Sequence, residues 1–514
     1  MVGKLLGSNK LKNKNNLVEQ PIFLDENVNS LTRVGTIDVG SNSIRMVVFD
    51  GAARSPSYFF NENIFCGLGD DMDSSGNLGK ASKERAFLAL SRFSLVAKAM
   101  EISPVLCIAT AAIRDANDGV EFCNEVFLRT GLELKILSGI EEAKLSAQGV
   151  FLGWPEATGI MCDIGGSSLE LAEIGDGLVG QCSSFPLGPL KLMNLTDDQE
   201  TIQSTIDKNF YENQKLLITK GKDLFLVGGS WRAIARLDME RQNYPLRVLH
   251  EYKMTQQSVL DTVDWILSKG SCELKKLTGM SNARLRLVPI ASIVLRALLK
   301  RLKPRSISIS SYGVREGLLY EQMPYQLKRC DPLLEACRLD EQQNARIPGF
   351  GSLLFIFIKP LFKDISEGRL RLIKAACLLH DVNWRAHPDY RAEVCFDNAT
   401  RANLGGLSHV ERVFLGISLL HRYKNSRQSM KYKDLLEILS NDELKEAEIL
   451  GKAMRFGAMF STVESEMPAR LLWDSKRGIL QLTMKAEMKA LYGEVVAARF
   501  LSLAEALKAK TEII

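Results

Sequence analysis

The sequence lacks features that would point to several familiar classes of protein. Its net charge is only +5, so it has none of the bulk basic character that nucleic-acid binding requires. None of its ten cysteines forms a Cys-x-x-Cys pair, which argues against a zinc ribbon or a redox motif. Scattered thiols without a secretion signal are typical of the reducing cytosol. We therefore expect a cytoplasmic protein without a nucleic-acid partner.

Long apolar runs are also missing. The most apolar stretch, SLLFIFIKPLF (352–362), contains Lys359 and Pro360 and is shorter than the ~20 apolar residues of a membrane-spanning helix. We predict that it is a buried helix, and we expect no membrane association. The N-terminus is polar and rich in Lys and Asn, so residues 1–32 are predicted to be a flexible leader.

The sequence does contain a regular alternation of strand-like and helix-like segments. The alternation begins near residue 33 and restarts near Trp154, and helical periodicity dominates beyond residue 325. We predict a first α/β domain at 33–153, a second α/β domain at 154–325 and an all-α module at 326–514.

One short pattern occurs twice, near the start of each α/β domain. DVGSNSIR begins at Asp38, and DIGGSSLE begins at Asp163. In both, a strand ends in Asp, a Gly/Ser turn follows, and a second strand begins. Glycines let a backbone approach a ligand, and successive N–H groups with Ser hydroxyls form a concave anion site. A single copy would be an ordinary β-hairpin, but two copies in register favour a phosphate site in a cleft between the domains.

This duplicated arrangement resembles the fold shared by actin, sugar and acetate kinases and the heat-shock ATPases. That fold leaves the reaction open, because a kinase or ATPase would use a third Gly motif to seat adenosine, and LVGGSWRAIARLD (226–238) is a candidate for it.

Seven motifs in one order give a more specific resemblance, to the exopolyphosphatase/guanosine pentaphosphate phosphohydrolase (Ppx/GppA) family. They are TIDVGSNSIRMVV, ATAAIRDANDG, ILSGIEEAKLSAQGV, DIGGSSLEL, FPLGPLKL, LVGGSWRAIARLD and SYGVREGLLYE. The resemblance implies removal of the terminal phosphate from inorganic polyphosphate, or from guanosine tetra- and pentaphosphate. It also implies a need for Mg²⁺ or another divalent cation.

The resemblance assigns roles to the carboxyl groups. Glu142, before Ala143 in GIEEAK, stands where the family has its catalytic Glu, and Glu170 matches a second important Glu. We expect Glu142 to position or deprotonate the attacking water, with Glu170 assisting. Asp38 and Asp163, at the two strand ends, are the candidate metal ligands.

A further set of residues is expected to hold phosphate through backbone N–H groups, hydroxyls or guanidinium groups. The set consists of Ser41, Asn42, Arg45, Arg114, Gly165, Gly166, Ser167, Ser168 and Gly229. The family usually has a third Gly at the position of Ser167, so the turn here is expected to differ slightly.

The C-terminal module contains His380-Asp381, a pair typical of HD-type phosphohydrolases. An active site of that type needs another His upstream, and the nearest, His250, belongs to a different domain. We therefore predict a degenerate HD-like module that packs, forms a homodimer or lines a path for polyphosphate.

Four functions remain compatible with the sequence. The leading hypothesis is an exopolyphosphatase, and guanosine pentaphosphate (pppGpp) is the alternative substrate for the same chemistry. An actin-like kinase or ATPase and a non-catalytic regulator that binds the alarmone are the others.

Overall fold

The computed structural model describes residues 33–51, 54–69, 76–196, 198–212, 221–425, 432–461 and 467–514. The predicted leader, residues 1–32, lies outside this range. In the described residues no helix combines the length and the apolarity needed to cross a lipid bilayer.

The first α/β unit is a five-stranded sheet in the order β3-β2-β1-β4-β5. Its β1 strand is almost wholly buried, as expected for VGTIDV in the middle of a sheet. The strands are β1 (Val34–Val39), β2 (Ser43–Phe49), β3 (Tyr58–Phe65), β4 (Val105–Ala109) and β5 (Leu134–Ile136). The helices are α1 (Lys80–Ala99), α2 (Ala111–Asp115) and α3 (Gly119–Thr130).

The second unit repeats this arrangement, with one further strand at its edge, in a sheet ordered β10-β11-β9-β6-β7-β8. Its strands are β6 (Gly159–Ile164), β7 (Leu169–Gly175), β8 (Leu178–Phe185), β9 (Asp223–Val227), β10 (Lys253–Met254) and β11 (Ile307–Ile309). Its helices are α5 (Pro189–Leu195), α6 (Gln199–Glu212), α7 (Gly229–Arg241), α8 (Gln256–Ser268), α9 (Ser271–Thr278) and α10 (Asn282–Leu302). The duplication read from the sequence is therefore present in the sheet order.

Two helices, α4 (Gly139–Gly153) and α11 (Val314–Gln322), pack against each other at the junction of the sheets. Glycines allow this close approach: a Cβ on Gly317 would lie 1.9 Å from the Leu145 carbonyl oxygen. One apolar cluster contains side chains from both sheets and both helices, including Phe49, Phe151 and Tyr320. The junction is therefore a packed core.

The C-terminal module is mostly helical, as predicted, but the expectation that it is all-α is wrong. Its helices are α12 (Tyr325–Lys328), α13 (Pro332–Asn344), α14 (Phe350–Ile358), α15 (Glu367–Leu379), α16 (Arg391–Arg401), α17 (His409–His421), α18 (Lys433–Leu436), α19 (Asn441–Gly457) and α20 (Glu494–Leu507). Short 3₁₀ helices cover Lys359–Leu361, Ala458–Phe460 and Ala486–Leu491.

A small sheet joins these helices: β12 (Ala469–Asp474), β13 (Ile479–Met484) and β14 (Lys510–Ile513). β13 alternates between buried and partly exposed residues, which is the period of a strand, and Gly478 in the β12–β13 turn has a φ of +65°. The apolar stretch at 352–362 forms most of α14 and the following 3₁₀ turn, with Leu354 and Ile358 fully buried.

Candidate functional site

A cavity of about 730 Å³ lies between the two sheets. Eleven of the thirteen predicted site residues line it: Asp38, Ser41, Asn42, Arg45, Glu142, Asp163, Gly165, Gly166, Ser167, Ser168 and Gly229. The other two, Glu170 and Arg114, lie outside its lining. The folded chain therefore brings together most of the residues that the two hairpins and GIEEAK indicated.

The two hairpins have the same register. Asp38 is paired with Arg45 across β1 and β2, and Asp163 is paired with Glu170 across β6 and β7. Both turns are closed by equivalent backbone bonds, from Gly40 N to Ser43 O at 3.1 Å and from Gly165 N to Ser168 O at 3.0 Å. The repeat is thus present in the structure as well as in the sequence. The first hairpin has Arg45 at the place where the second has Glu170.

The two turns contact each other directly. The Ser167 hydroxyl donates a hydrogen bond to the Ser41 hydroxyl over 2.9 Å. A Cβ on Gly166 would lie 3.3 Å from the Ser41 Cβ. The two halves of the molecule therefore meet at this point through a side-chain hydrogen bond and close packing of the turns, beside the Lys191–Asp115 ion pair.

Glycine positions hold the second hairpin in place. Gly188, just before α5, is so close to the turn that a Cβ there would lie 2.3 Å from the Ser167 carbonyl carbon. Gly228 has a φ of +112°, and its Cβ would lie 2.9 Å from an Asp163 carboxylate oxygen. Backbone from two other segments therefore surrounds the turn and the carboxylate beside it.

Asp38 and Asp163 occupy equivalent places at the ends of β1 and β6. Burial raises the pKa of both carboxyl groups, and the positive charges of Arg315 and Arg45 oppose that rise for Asp38. Arg315 Nη1 lies 3.8 Å from Asp38 Oδ2, and the Ser146 hydroxyl donates to Asp163.

Glu142 lies in the first turn of α4, whose start is fixed by a capping box between Ser138 and Glu141. It is 7% exposed, and Arg114 Nη1 lies 3.1 Å from its Oε2. Burial raises the pKa of Glu142 to about 7, while Arg114 opposes the rise and Asp163 adds to it. A carboxyl group with this pKa can accept a proton near neutral pH.

Glu170 is fully buried behind the cavity wall. Ser184 donates to its Oε1 over 3.0 Å. Burial, followed by the charges of Glu142 and Asp163, raises its pKa well above the ordinary value. Its position favours an influence on Glu142 and Asp163 over direct contact with a ligand in the cavity.

Three arginines that line the cavity, Arg232, Arg284 and Arg315, were not predicted. Burial, aided by repulsion from the positive charges of Arg315 and Arg232, lowers the pKa of Arg45 to about 10. A bound polyanion would relieve this repulsion. Arg232 and Arg315 each follow a glycine turn within the first turn of a helix, and this spacing was the available signal.

The residues fit a shared cation site better than an all-protein one. Among the described residues there is no group of three or more His, Cys, Asp or Glu side chains that could hold a metal ion. Mg²⁺ usually binds through one or two carboxylates together with water and substrate phosphates. Asp38 and Asp163 at the cavity wall suit such a site.

The His380-Asp381 pair of the C-terminal module is engaged by protein groups. Arg346 holds Asp381 through two hydrogen bonds of 2.7 and 2.6 Å, and His380 Nδ1 lies 2.8 Å from the Cys377 carbonyl oxygen. Burial and the charge of Arg422 lower the pKa of His380 to about 4. An arginine therefore neutralises the carboxylate that a metal would neutralise in an active site.

Comparison with protein families gives two matches along the chain. The model of the Ppx/GppA phosphatase family matches residues 47–326, more than half of the chain. The model described as "Exopolyphosphatase, C-terminal" matches residues 362–514.

Three relatives illustrate the range of functions. Retrograde regulation protein 2 of Saccharomyces cerevisiae is 27% identical over 457 residues, covering 81% of this chain and 77% of the yeast protein. Exopolyphosphatase 1 of Mycobacterium tuberculosis is 25% identical, covering 57% and 88%. The guanosine-5'-triphosphate,3'-diphosphate pyrophosphatase of Aeromonas hydrophila is 23% identical, covering 78% and 82%.

Among solved structures, an exopolyphosphatase from Cytophaga hutchinsonii matches with a TM-score of 0.52 and 20% identity, over 56% of this chain and 96% of that one. This similarity and the repeated sheet order confirm the predicted fold of two duplicated actin-like domains.

Proposed function

Because the chain belongs to the Ppx/GppA phosphatase family, we propose that it is an exopolyphosphatase that releases terminal orthophosphate from inorganic polyphosphate. Members of this family are phosphatases that act on phosphoanhydride bonds, and they generally depend on a divalent cation. The proposal places the reaction in the cavity between the two sheets, takes Mg²⁺ as the cation, and keeps the cytosol as the compartment. It also retains the homodimer through residues 326–514.

The observation that carries the proposal is the pair of facing hairpin turns with a buried glutamate beside them. The turns offer backbone N–H groups and the hydroxyls of Ser41, Ser167 and Ser168 to phosphate oxygens. Arginines along the same cavity supply positive charge to a chain of phosphates. Glu142 lines the cavity near both turns and, with its raised pKa, suits a water-activating role.

In the proposed reaction, water attacks the terminal phosphorus and passes a proton to Glu142. The bond from that phosphorus to the bridging oxygen breaks, and orthophosphate and a chain shorter by one unit are formed. Arg45, Arg232 and Arg315 balance the charge on the phosphate oxygens. A divalent cation held at Asp38 and Asp163 would add positive charge there.

The second candidate substrate is pppGpp, whose 5′-triphosphate offers the same terminal bond. The Aeromonas relative favours this substrate, since the similarity covers 78% of the present chain, including part of the C-terminal module. Competition between polyphosphate and pppGpp for the same preparation would rank the two substrates.

The third candidate, a regulator that binds without turnover, is favoured by the name of the yeast relative. It predicts binding of pppGpp in the presence of Mg²⁺ with no phosphate release. A kinase or ATPase would instead transfer phosphate from ATP to an acceptor.

The test is phosphate release from short polyphosphate, long polyphosphate, pppGpp and ATP, each with Mg²⁺. We expect release from polyphosphate, and a loss of about 10²–10⁴-fold in Glu142→Gln. Glu141→Gln is the matched control because Glu141 is the neighbouring, exposed carboxylate, bonded to Ser138 and Lys135. Equal rates for wild type and Glu142→Gln would remove Glu142 from the mechanism, and no release from any substrate would refute the hydrolase.

A further inference from the structure

A second, much smaller cavity lies behind the hairpins. Its volume is about 20 Å³, and its lining consists of Gly69, Ala111, Asp115, Ser167, Leu190, Lys191 and Asn194. We call this small cavity the chamber. Ser167 and Ala111 line both the chamber and the large cavity between the sheets. The two spaces are therefore neighbours, separated at the level of the hairpin turns.

The bond between the Ser41 and Ser167 hydroxyls closes the contact between the turns at this boundary. The backbone bonds that support the two serines stay within one half of the molecule. Gly69 N donates to Ser41 O in the first unit, and Leu190 N donates to Gly166 O in the second, both over 2.8 Å. A small separation of the two halves would thus part the serines and the exposed Lys191–Asp115 ion pair, and leave these supports intact.

An exit at this place would solve a problem that chain-shaped substrates create. In the proposed reaction the terminal phosphate lies near the buried Glu142, while the exposed residues Phe65 and Arg284 line the cavity where it meets solvent. After cleavage the orthophosphate is at the buried side, and the shortened chain still fills the exposed side. The product could otherwise leave only after the chain itself had dissociated.

We propose that the Ser41–Ser167 hydrogen bond is the gate of an exit through which orthophosphate leaves past Lys191, while the shortened chain stays bound. This inference rests on the proposed exopolyphosphatase activity. In the closed state the chamber has room for about one water molecule, since a water needs roughly 10–15 Å³. The gate must therefore open for each phosphate that passes.

The residues around the chamber suit a departing anion. Lys191 Nζ lies 3.8 Å from Asp115 Oδ2, and their side chains are 37% and 41% exposed, so this ion pair faces water. Arg114 Nε lies 3.4 Å from the same carboxylate group. Arg114 is also paired with Glu142, so Lys191, loosely paired and partly exposed, is the cation that would attract phosphate outward. The Ser41 and Ser167 hydroxyls can exchange their mutual bond for bonds to the passing phosphate.

The exit gives a direct consequence for the pattern of products. With the exit open, one chain can be shortened repeatedly without leaving the protein. With the exit blocked, each orthophosphate has to wait until the chain dissociates, and shortening becomes distributive.

The decisive variant is Asn194→Trp, with Asn194→Ala as its matched control. Asn194 is exposed and lines the chamber but not the large cavity, so a large ring there is expected to obstruct the exit and spare the reaction site. On long polyphosphate we expect a steady-state rate about tenfold lower, an unchanged first-turnover burst, and a ladder of intermediate chain lengths. On tripolyphosphate we expect wild-type rates, because the pyrophosphate left behind is small enough to depart through the mouth.

A second measurement uses orthophosphate as an inhibitor. Lys191→Met should weaken inhibition by added orthophosphate, because the anion loses its attraction to the outer end of the exit. The exit is refuted if Asn194→Trp slows both substrates equally or neither, or if Lys191→Met leaves phosphate inhibition unchanged. Absence of phosphate release by the wild-type protein would refute the proposed function and the exit together.

Discussion

The pKa of Glu142 reflects two opposing influences, burial and the charge of Arg114. Burial and the nearby Asp163 disfavour the carboxylate, and Arg114, at 3.1 Å, favours it. Neither influence is visible in the motif GIEEAK, because Arg114 is distant along the chain and burial arises only in the folded protein. The sequence could thus identify the residue but not its pKa.

The pH dependence of the reaction should report this balance. A protonated Glu142 cannot accept a proton, so kcat/KM should fall as the pH drops through about 7. Arg114→Met removes the charge that lowers this pKa, so the acidic limb of the pH–rate profile, where kcat/KM falls, should move to higher pH. The measurement is a pH–rate profile of both proteins at constant ionic strength. A limb that stays in place in Arg114→Met would show that another group controls it.

The two aspartates should control the need for a divalent cation. Asp38→Asn keeps the size of the side chain but removes its charge, so the Mg²⁺ concentration at half-maximal activity should rise about 10–100-fold. Titration of activity with Mg²⁺ checks this, with Asp261→Asn, a change at an exposed helix position, as control. An unchanged Mg²⁺ requirement would separate Asp38 from the metal.

The arginines show where residue-level prediction ended. Arg45 could be found because it lies in the repeated hairpin. Arg232 and Arg315 lie in helices, where arginine is ordinarily a surface residue, and only the folding of α7 and α11 against the sheets turns them towards the cavity. Their motifs were recognised, but their side chains were not singled out.

Among the elements, the second hairpin depends on a close backbone contact with Gly188. A Cβ there would lie 2.3–2.4 Å from backbone atoms of Gly166, Ser167 and Ser168, which cannot move independently of the turn. Gly188→Ala should therefore displace the turn, lower activity and cost about 1–3 kcal/mol of stability.

Gly270→Ala provides the control for this change. Gly270 also precedes a helix and also has extended backbone angles, but a Cβ added there would meet nothing within 4 Å. Phosphate release and thermal unfolding should change in Gly188→Ala alone. Similar behaviour of the two variants would mean that the hairpin tolerates displacement.

Prediction of the elements succeeded where periodicity was long. The helical periodicity beyond residue 325 corresponds to α12 to α20, and both repeated strand–turn–strand patterns are hairpins. The strands β12 to β14 were missed because they are short and surrounded by helical segments. The sheet that unites them pairs β13 with β14 in parallel, a long-range contact that local pattern cannot reveal.

At the scale of the whole molecule, Arg54 links the first unit to the start of the C-terminal module. It is 1% exposed and donates to the carbonyl oxygens of Phe151, Leu152 and Cys330. Arg54→Met would leave three buried carbonyls without this donor, so the free energy of unfolding should fall by at least about 3 kcal/mol. Arg329→Met, at an exposed position, is the control.

Thermal and urea unfolding of the two variants would measure this difference. Phe151 and Leu152 lie in the last turn of α4, so Arg54 also anchors the helix whose first turn carries Glu142. Equal stability of Arg54→Met and Arg329→Met would show that the junction is held by its apolar core alone.

The different residues at equivalent places in the two hairpins have one more consequence. Inorganic polyphosphate has no polarity, since it reads identically from either end. Arg45 lies on the first hairpin and Glu170 on the second, so the protein, and not the polymer, determines the direction of attack. Either end of a chain is then an equal starting point, and a chain capped at one end should still be consumed from the other.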